Sequence, residues 1–455
     1  MRLVLFAALC VSATFGALDA SAASKRRQVR LDVRSVHPVV QADRKQIEHI
    51  RIALEGFELL SDEPRPPLNV ALVIDRSGSM RGPKLERAKE AASEAIERLQ
   101  DQDIVSVVLY DTQVEVLVPA TKATDRQSIL DAIRGITAGS KTALFAGVTK
   151  GAAEVRKFLD EERINRVILL SDGLANIGPQ SPQELEGLGQ SLMKEGITVS
   201  TLGLGLGYNE DLMVGLAKVG GGNHAFIEDA SQLAGVFRQE FDGLMSVVAT
   251  DFEIEVTIDE QTRPVRMIGS DADIDGQVVR IPLAQLYSEQ KRYFVLEVEL
   301  DPGQDGTTRP LADVRVAYRN MATETRDTLQ TSIETRFEED AKIVEDKTDL
   351  EVLASCSLLI TNERNCQATA LRDAGQIDAA KQLLLTNSAE LSQLSFQCAE
   401  AGMADAAEEL KAAEKINEFQ SGKIAEAGDW IRTRKSMRAV QNQLEQQQVY
   451  SGEIK

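Results

Sequence analysis

Across residues 28–58 apolar and polar positions alternate, most regularly in His49-Ile50-Arg51-Ile52-Ala53-Leu54-Glu55, where Ile50, Ile52 and Leu54 fall on one side of an extended chain. Period two marks a half-buried strand, because successive side chains of a strand point to opposite faces. Pro64, Pro66 and Pro67 end the pattern by removing donors and fixing φ. Beyond them the style changes. Residues 70–74, 104–109, 167–170 and 197–202 are short, mainly apolar runs rich in β-branched side chains, as strands covered on both faces should be. Helical spacing occupies residues 84–100, 126–134, 144–159, 182–194 and 231–245. Strand and helix in alternation predict a doubly wound α/β domain with a mostly parallel sheet over residues 67–247, whose ligands belong beyond the carboxyl ends of its strands.

Alternation returns in Asp251-Phe252-Glu253-Ile254-Glu255-Val256-Thr257-Ile258, in Phe294-Val295-Leu296-Glu297-Val298-Glu299-Leu300 and in Val314-Arg315-Val316-Ala317-Tyr318. The simplest account is one antiparallel β-sandwich, built from residues 23–66 and 248–336, with the α/β domain inserted into it; a sandwich of the later strands alone is the alternative. Residues 337–455 contain no proline and are rich in Ala, Glu, Gln and Lys, which is helical composition. A hairpin is legible there: a helix over 349–373, a turn at Ala374-Gly375-Gln376, and a return helix striped by Ile377, Ala380, Leu384, Leu391, Leu394 and Cys398. The basic cluster Arg432, Arg434, Lys435 and Arg438 reads as a solvated helix face.

The 455 residues carry 51 Lys+Arg against 71 Asp+Glu, a net charge of −20, so the global field opposes nucleic acid and anionic lipid. Arg2, the apolar run at residues 3–18 and the small triplet Ala20-Ser21-Ala22 form a signal-peptide pattern with cleavage expected after Ala22. No later stretch has the length of a membrane span, so the mature chain is expected outside the cytoplasm: in the periplasm, on the cell surface or secreted.

The first fully apolar run leads into Asp75-Arg76-Ser77-Gly78-Ser79-Met80. A carboxylate and two hydroxyls at spacing two, leaving the carboxyl end of a strand, converge hard oxygen donors on one point, as Mg²⁺ requires. Two further segments fall on the same edge of a doubly wound sheet: Gly139-Ser140-Lys141-Thr142, which brings a hydroxyl, and Ser171-Asp172-Gly173, which brings a carboxylate. In these residues the sequence resembles the von Willebrand factor A domain family, whose metal-ion-dependent adhesion site is D-x-S-x-S with a later Thr and a later Asp-Gly. The resemblance covers about 180 residues and implies that the α/β domain is Rossmann-like, set in the antiparallel β-sandwich and followed by the C-terminal α-helical domain that periodicity and composition predict. It implies Asp75, Ser77, Ser79, Thr142 and Asp172 as metal ligands, the hydroxyls binding directly and the carboxylates directly or through water. The implied ion is Mg²⁺, with Mn²⁺ or Ca²⁺ as substitutes, and the implied partner is a protein presenting Asp or Glu. Arg76 and Met80 are read as rim residues touching that partner. The arrangement is also similar to bacterial exported proteins of this family and, more loosely, to inter-alpha-trypsin inhibitor heavy chains.

Other motifs fail on spacing. Gly135 to Thr142 has three residues between its first glycines where a phosphate loop needs four, and Tyr208 replaces the last glycine of a dinucleotide fingerprint in Gly203-Leu204-Gly205-Leu206-Gly207. Asp271-Ala272-Asp273-Ile274-Asp275-Gly276 lacks the bidentate Glu of a Ca²⁺ loop and reads as a turn. The histidines, His37, His49 and His224, are scattered and belong to no catalytic motif, so no enzyme is expected. Cys356 lies 21 residues before Ile377 and Cys398 lies 21 after it, so antiparallel helices bring them level and a disulfide between them is expected. The function expected is an exported, metal-dependent adhesion module. Its rival is an assembly subunit in which the ion only stiffens the domain and the helical tail makes the contacts.

Overall fold

The computed structural model describes residues 28–59, 65–426 and 429–447. The signal-peptide pattern of residues 1–22 lies outside them. The chain opens with β1 (Val29–Ser35), β2 (Val39–Gln41) and β3 (Gln46–Gly56). An α/β unit follows: β4 (Leu68–Asp75), α1 (Pro83–Glu97), β5 (Ile104–Tyr110), β6 (Val114–Lys122), α2 (Arg126–Arg134), α3 (Leu144–Arg156), β7 (Ile164–Ser171), α4 (Pro182–Lys194), β8 (Thr198–Leu204), α5 (Glu210–Val219), β9 (Gly221–Ile227) and α6 (Leu233–Met245). Next come β10 (Val247–Ile258), β11 (Thr262–Ile268), β12 (Asp273–Asp275), β13 (Val278–Ile281), β14 (Gln285–Tyr287), β15 (Lys291–Leu300), β16 (Thr308–Asn320) and β17 (Thr325–Glu338). The helices α7 (Ala341–Asp346), α8 (Leu350–Asp373), α9 (Ile377–Glu400), α10 (Ala404–Lys423) and α11 (Trp430–Gln446) complete it.

The α/β sheet has the order β6-β5-β4-β7-β8-β9, parallel except for β6. Every residue of β4, β5, β7 and β8 is buried, which is why these strands read as mainly apolar runs without period-two alternation. One face packs under α1, α2 and α6, the other under α3, α4 and α5.

The sandwich draws strands from both sides of this unit. β3 pairs with β15 from Gln46↔Leu300 to Glu55↔Lys291, and β2 pairs with β17, so a sandwich of the later strands alone is excluded. The points of entry and exit are tied to one turn: Glu289 N donates to Gly56 O at 3.0 Å, and Ser288 N to Ser246 O at 2.7 Å. Ser246 alone separates α6 from β10. The acidic stretch at 271–276 forms the β12–β13 hairpin, with Gly276 at a φ of 60°.

The helical region departs from expectation in two places. α8 and α9 form the hairpin, but the described cysteines are free. Cys356 packs against the sandwich with Val36, Ile268 and Val295, and burial pushes its thiol up to about 12. Cys398 packs with Ala354, Leu391 and Leu410. Ala354 and Cys356 are two positions apart, about 200° around a helix, so the level pair faces different layers.

The basic cluster is not a solvated face. Arg434 reaches Glu210, Asp211 at 2.8 Å and Asp373 at 2.8 Å, Lys435 reaches Glu210, and Arg438 reaches Asp211 at 3.1 Å, so α11 is seated on α5. At its other end Arg292 donates to Glu445 O at 2.5 Å, and Gln447 exchanges hydrogen bonds with the Tyr293 backbone at 2.7 and 2.9 Å. α11 is a strut spanning the α/β unit, the sandwich and, through Gln441 and Asn365, α8. Among the described residues no helix is long and apolar enough to cross a membrane.

Candidate metal centre

β4 stands at the middle of the sheet. The chain leaves it for β5 on one side and later fills β7 on the other, so the carboxyl end of β4 faces the crevice that such reversals create. Asp75, fully buried, ends β4; its Oδ1 accepts from Ser77 N at 2.8 Å and its Oδ2 from Ser171 Oγ at 2.9 Å. Ser171 is the last residue of β7 and a supporting side chain that sequence reasoning missed. The loop after Asp75 closes in a 3-10 turn at Gly78–Met80, and Pro83 starts α1 at a position that needs no N–H donor.

Backbone bonds bring the second loop to the first. Gly78 N donates to Ser140 O at 2.8 Å and Gly139 N to Arg76 O at 2.6 Å. A Cβ on Gly139 would lie 1.8 Å from Asp111 Oδ2, so this approach demands glycine. Thr142 is fixed at both backbone groups by Asn176, at 2.9 and 3.1 Å, which leaves its hydroxyl uncommitted by those bonds; Asn176 too had no signal in the sequence.

Ser77 Oγ and Ser79 Oγ are 3.0 Å apart, and Ser79 Oγ donates to Asp172 Oδ1 at 2.7 Å. A single point, where a Cβ of Gly173 would stand, lies 3.4 Å from Ser79 Oγ and 3.5 Å from Thr142 Oγ1. The side chains of Asp75, Ser77, Ser79, Thr142 and Asp172 therefore meet at one corner. Neighbouring ligands of an octahedral Mg²⁺ at 2.0–2.1 Å stand about 2.9 Å from each other, so the oxygen spacings here fit such an ion. The donor set fits as well, being three neutral hydroxyls and two carboxylates with no soft ligand. Among the described residues no group of three or more His, Cys, Asp or Glu forms a more highly charged site.

Burial pushes the Asp75 carboxyl up to about 6, against the hydrogen bonds from Ser77 and Ser171, and the neighbouring Asp172 charge adds to the rise. Asp172 Oδ2 accepts from Lys84 Nζ at 2.6 Å, so the first turn of α1 places a cation at the corner.

The rim differs from expectation. Met80 is fully buried in the core beneath α1, because the 3-10 turn rotates its side chain inward; it cannot touch a partner. Arg76 is half-buried, its guanidinium held by Asp111 at 3.2 Å and Glu115 at 3.0 Å. Two residues the sequence did not single out stand out instead: Leu174, 57% exposed beside Gly173, and Leu206, 42% exposed beside Gly207. A Cβ on Gly207 would lie 2.7 Å from Asp172 O, so both leucines flank the same corner. Their signal was an isolated Leu among glycines in loops that should be polar. A cavity of about 1460 Å³ between the sandwich and the helical region, lined by Tyr293, Met403 and Ile416 among others, includes none of the five residues.

Residues 69–239 match the family model of the von Willebrand factor type A domain. An uncharacterised protein of Synechocystis is 29% identical over 318 residues, covering 67% of this chain and 69% of that one. Human inter-alpha-trypsin inhibitor heavy chain H3 is 29% identical over 234 residues, 48% of this chain, and the match spans only 26% of the heavy chain. Among solved structures, a von Willebrand factor type A protein from Catenulispora acidiphila superposes with a TM-score of 0.64 at 18% identity, covering 85% of this chain and 90% of that one. The ArnB paralog VWA2 from Sulfolobus acidocaldarius gives 0.63 at 17% identity, covering 92% and 98%. These two share the fold of nearly the whole chain.

Proposed function

We propose that this chain uses its von Willebrand factor type A domain as a divalent-metal-dependent protein-binding module, capturing an acidic side chain of a partner outside the cytoplasm. The observation that carries the reading is the convergence of Asp75, Ser77, Ser79, Thr142 and Asp172 at the open end of β4. A bound Mg²⁺, or Mn²⁺ or Ca²⁺ in its place, would supply a Lewis-acidic position that a partner's carboxylate could join, since three of the five donors are neutral hydroxyls. Ser77, Ser79 and Thr142 hold the ion without adding charge, Asp75 and Asp172 balance it, and Ser171 and Asn176 keep the donors in place.

The surroundings favour an acidic, partly apolar partner surface. Arg81 and Lys141 are exposed beside the corner in a chain of net charge −20, and Leu174 and Leu206 offer apolar contact. Binding rather than catalysis is supported by the histidines: His224 is buried and bonded to Thr201 at 2.8 Å, while His37 and His49 pair with Glu48 and Glu297 in the sandwich. Export is supported by the apolar run at residues 3–18 with its Ala20-Ser21-Ala22 flank.

The test is a pull-down from envelope and extracellular material in Mg²⁺, in EDTA, and with Asp75→Ala, the folding of that variant being checked by circular dichroism. A protein retained only by wild type in Mg²⁺ supports the module. Equal retention in all three overturns it, and loss of fold in EDTA or in the variant points to an ion that only stiffens the domain.

A further inference from the structure

The loop between β8 and α5, Gly205-Leu206-Gly207-Tyr208-Asn209, stands between the metal corner and the strut α11. On one side the Gly207 backbone lies against Asp172 O, close enough that a Cβ would be 2.7 Å away, and a Cβ on Gly205 would lie 3.6 Å from Lys84 Nζ. On the other side Tyr208 is 2% exposed, with its ring filling the space left by Gly203, where a Cβ would come within 2.2 Å of it. Above that ring sits Lys435 of α11. Its ammonium donates to Tyr208 O at 2.5 Å, pairs with Glu210, and lies 4.1 Å from the ring centroid of Tyr208. Lys435 itself is 2% exposed. Arg434 and Arg438 fasten the same turn of α5 through Glu210 and Asp211.

We infer that Lys435 is a positioning residue for the metal site: it presses the Tyr208 loop onto Asp172, so docking of α11 and ion binding at the corner favour each other. This rests on the metal-binding reading proposed above. The physical chain is short, one ion pair, one backbone acceptor and one glycine contact. Coupling between two such sites is reciprocal, so a bound ion also tightens the strut.

The experiment titrates Mn²⁺ by electron paramagnetic resonance and follows amide hydrogen exchange by mass spectrometry, on the full chain and its Lys435→Met, Lys435→Arg, Glu210→Gln and Arg432→Gln variants. Lys435→Met should weaken Mn²⁺ binding about fivefold or more and speed exchange in residues 172–176 as well as 203–209. Lys435→Arg should recover part of the affinity. Glu210→Gln should act in the same direction from the α/β side and serves if Lys435→Met does not fold. Arg432→Gln should change nothing, because Arg432 pairs with Glu228 and Asp429 and makes none of the contacts to Tyr208 or Glu210. In wild type, Mn²⁺ should slow exchange in α11. Unchanged Mn²⁺ affinity in Lys435→Met, with exchange in α11 raised, overturns the inference. If wild type binds no Mn²⁺, the metal reading itself fails; exchange in 172–176 of the metal-free variants then decides whether the loop coupling stands without it.

Discussion

Two charged joints of the α/β unit are built from opposite materials: one inside it, where α6 leads out into β10, and one across to α11 of the helical region. Just before the chain passes from α6 into β10, α6 is held to the α/β sheet by a dry contact: Arg166 and Glu240 pair at 2.6 Å with side chains 0% and 1% exposed, and Ser200 and Asn223 also bond to Glu240. At the α5–α11 joint the partners lie more than 220 positions apart and the rim is wetter, with Arg438 and Asp211 side chains 25% and 38% exposed around a drier Lys435–Glu210 pair at 2% and 11%. A dry pair cannot open without leaving a charge unsolvated, whereas a half-wet cluster can exchange its partners for water and salt. The first joint therefore holds α6 to the sheet, and the second is the one that conditions can loosen.

The contrast can be broken most forcefully at Arg166. Arg166→Met leaves Glu240 buried and unpaired and should cost about 3–5 kcal/mol in urea denaturation, most of it recovered in the double variant with Glu240→Leu. A loss below about 1 kcal/mol would mean the joint is not dry. Acid acts next, on the second joint. Burial, with Lys435 and Arg438 nearby, drives His224 down to about 3 from an ordinary value of 6.5. The folded chain thus refuses a proton that the unfolded chain accepts, so this contribution is complete above pH 6.5 and falls as pH drops, by roughly 2 kcal/mol at pH 5. His224→Gln should flatten the slope of stability between pH 6.5 and 5. Salt should separate the joints more gently: 1 M NaCl should raise exchange in α11 by the equivalent of about 1 kcal/mol and leave α6 untouched. The smallest effect is expected from a reductant, which should not move the melting temperature at all, because α8 and α9 are held by packing without a disulfide.

The same contrast explains what was legible in the sequence. β4, β5, β7 and β8 announced themselves because burial on both faces favours a mainly apolar, β-branched run, interrupted only by polar residues with buried partners such as Arg166 and Ser200. β6, with Pro119 at the sheet edge, and β9, which opens Gly221-Gly222-Asn223-His224, carry no such run; the partners that make Asn223 and His224 tolerable, Glu240 and Thr201, lie 17 and 23 positions away. The five candidate ligands were readable because they lie in fixed order on loops at the carboxyl ends of β4 and β7 and just ahead of α3. Met80 was misplaced because nothing in its neighbours reveals that a 3-10 turn carries it inward. The cysteines were paired by level alone, whereas Cys356 faces the sandwich and Cys398 the neighbouring helices. The basic cluster of α11 looked solvated because its acids, Glu210 and Asp211, belong to another domain.

The strut also imposes a schedule. Lys435 and Glu210 are separated by 225 positions. At about 5–20 residues per second of synthesis, the acceptors on α5 wait roughly 10–45 seconds for the helix that covers them. The contacts within the α/β unit are local by comparison, so it can close around its own core during that interval, with Glu210 and Asp211 in water. The part of the molecule that would grip a partner is finished first, and the brace that steadies it arrives last.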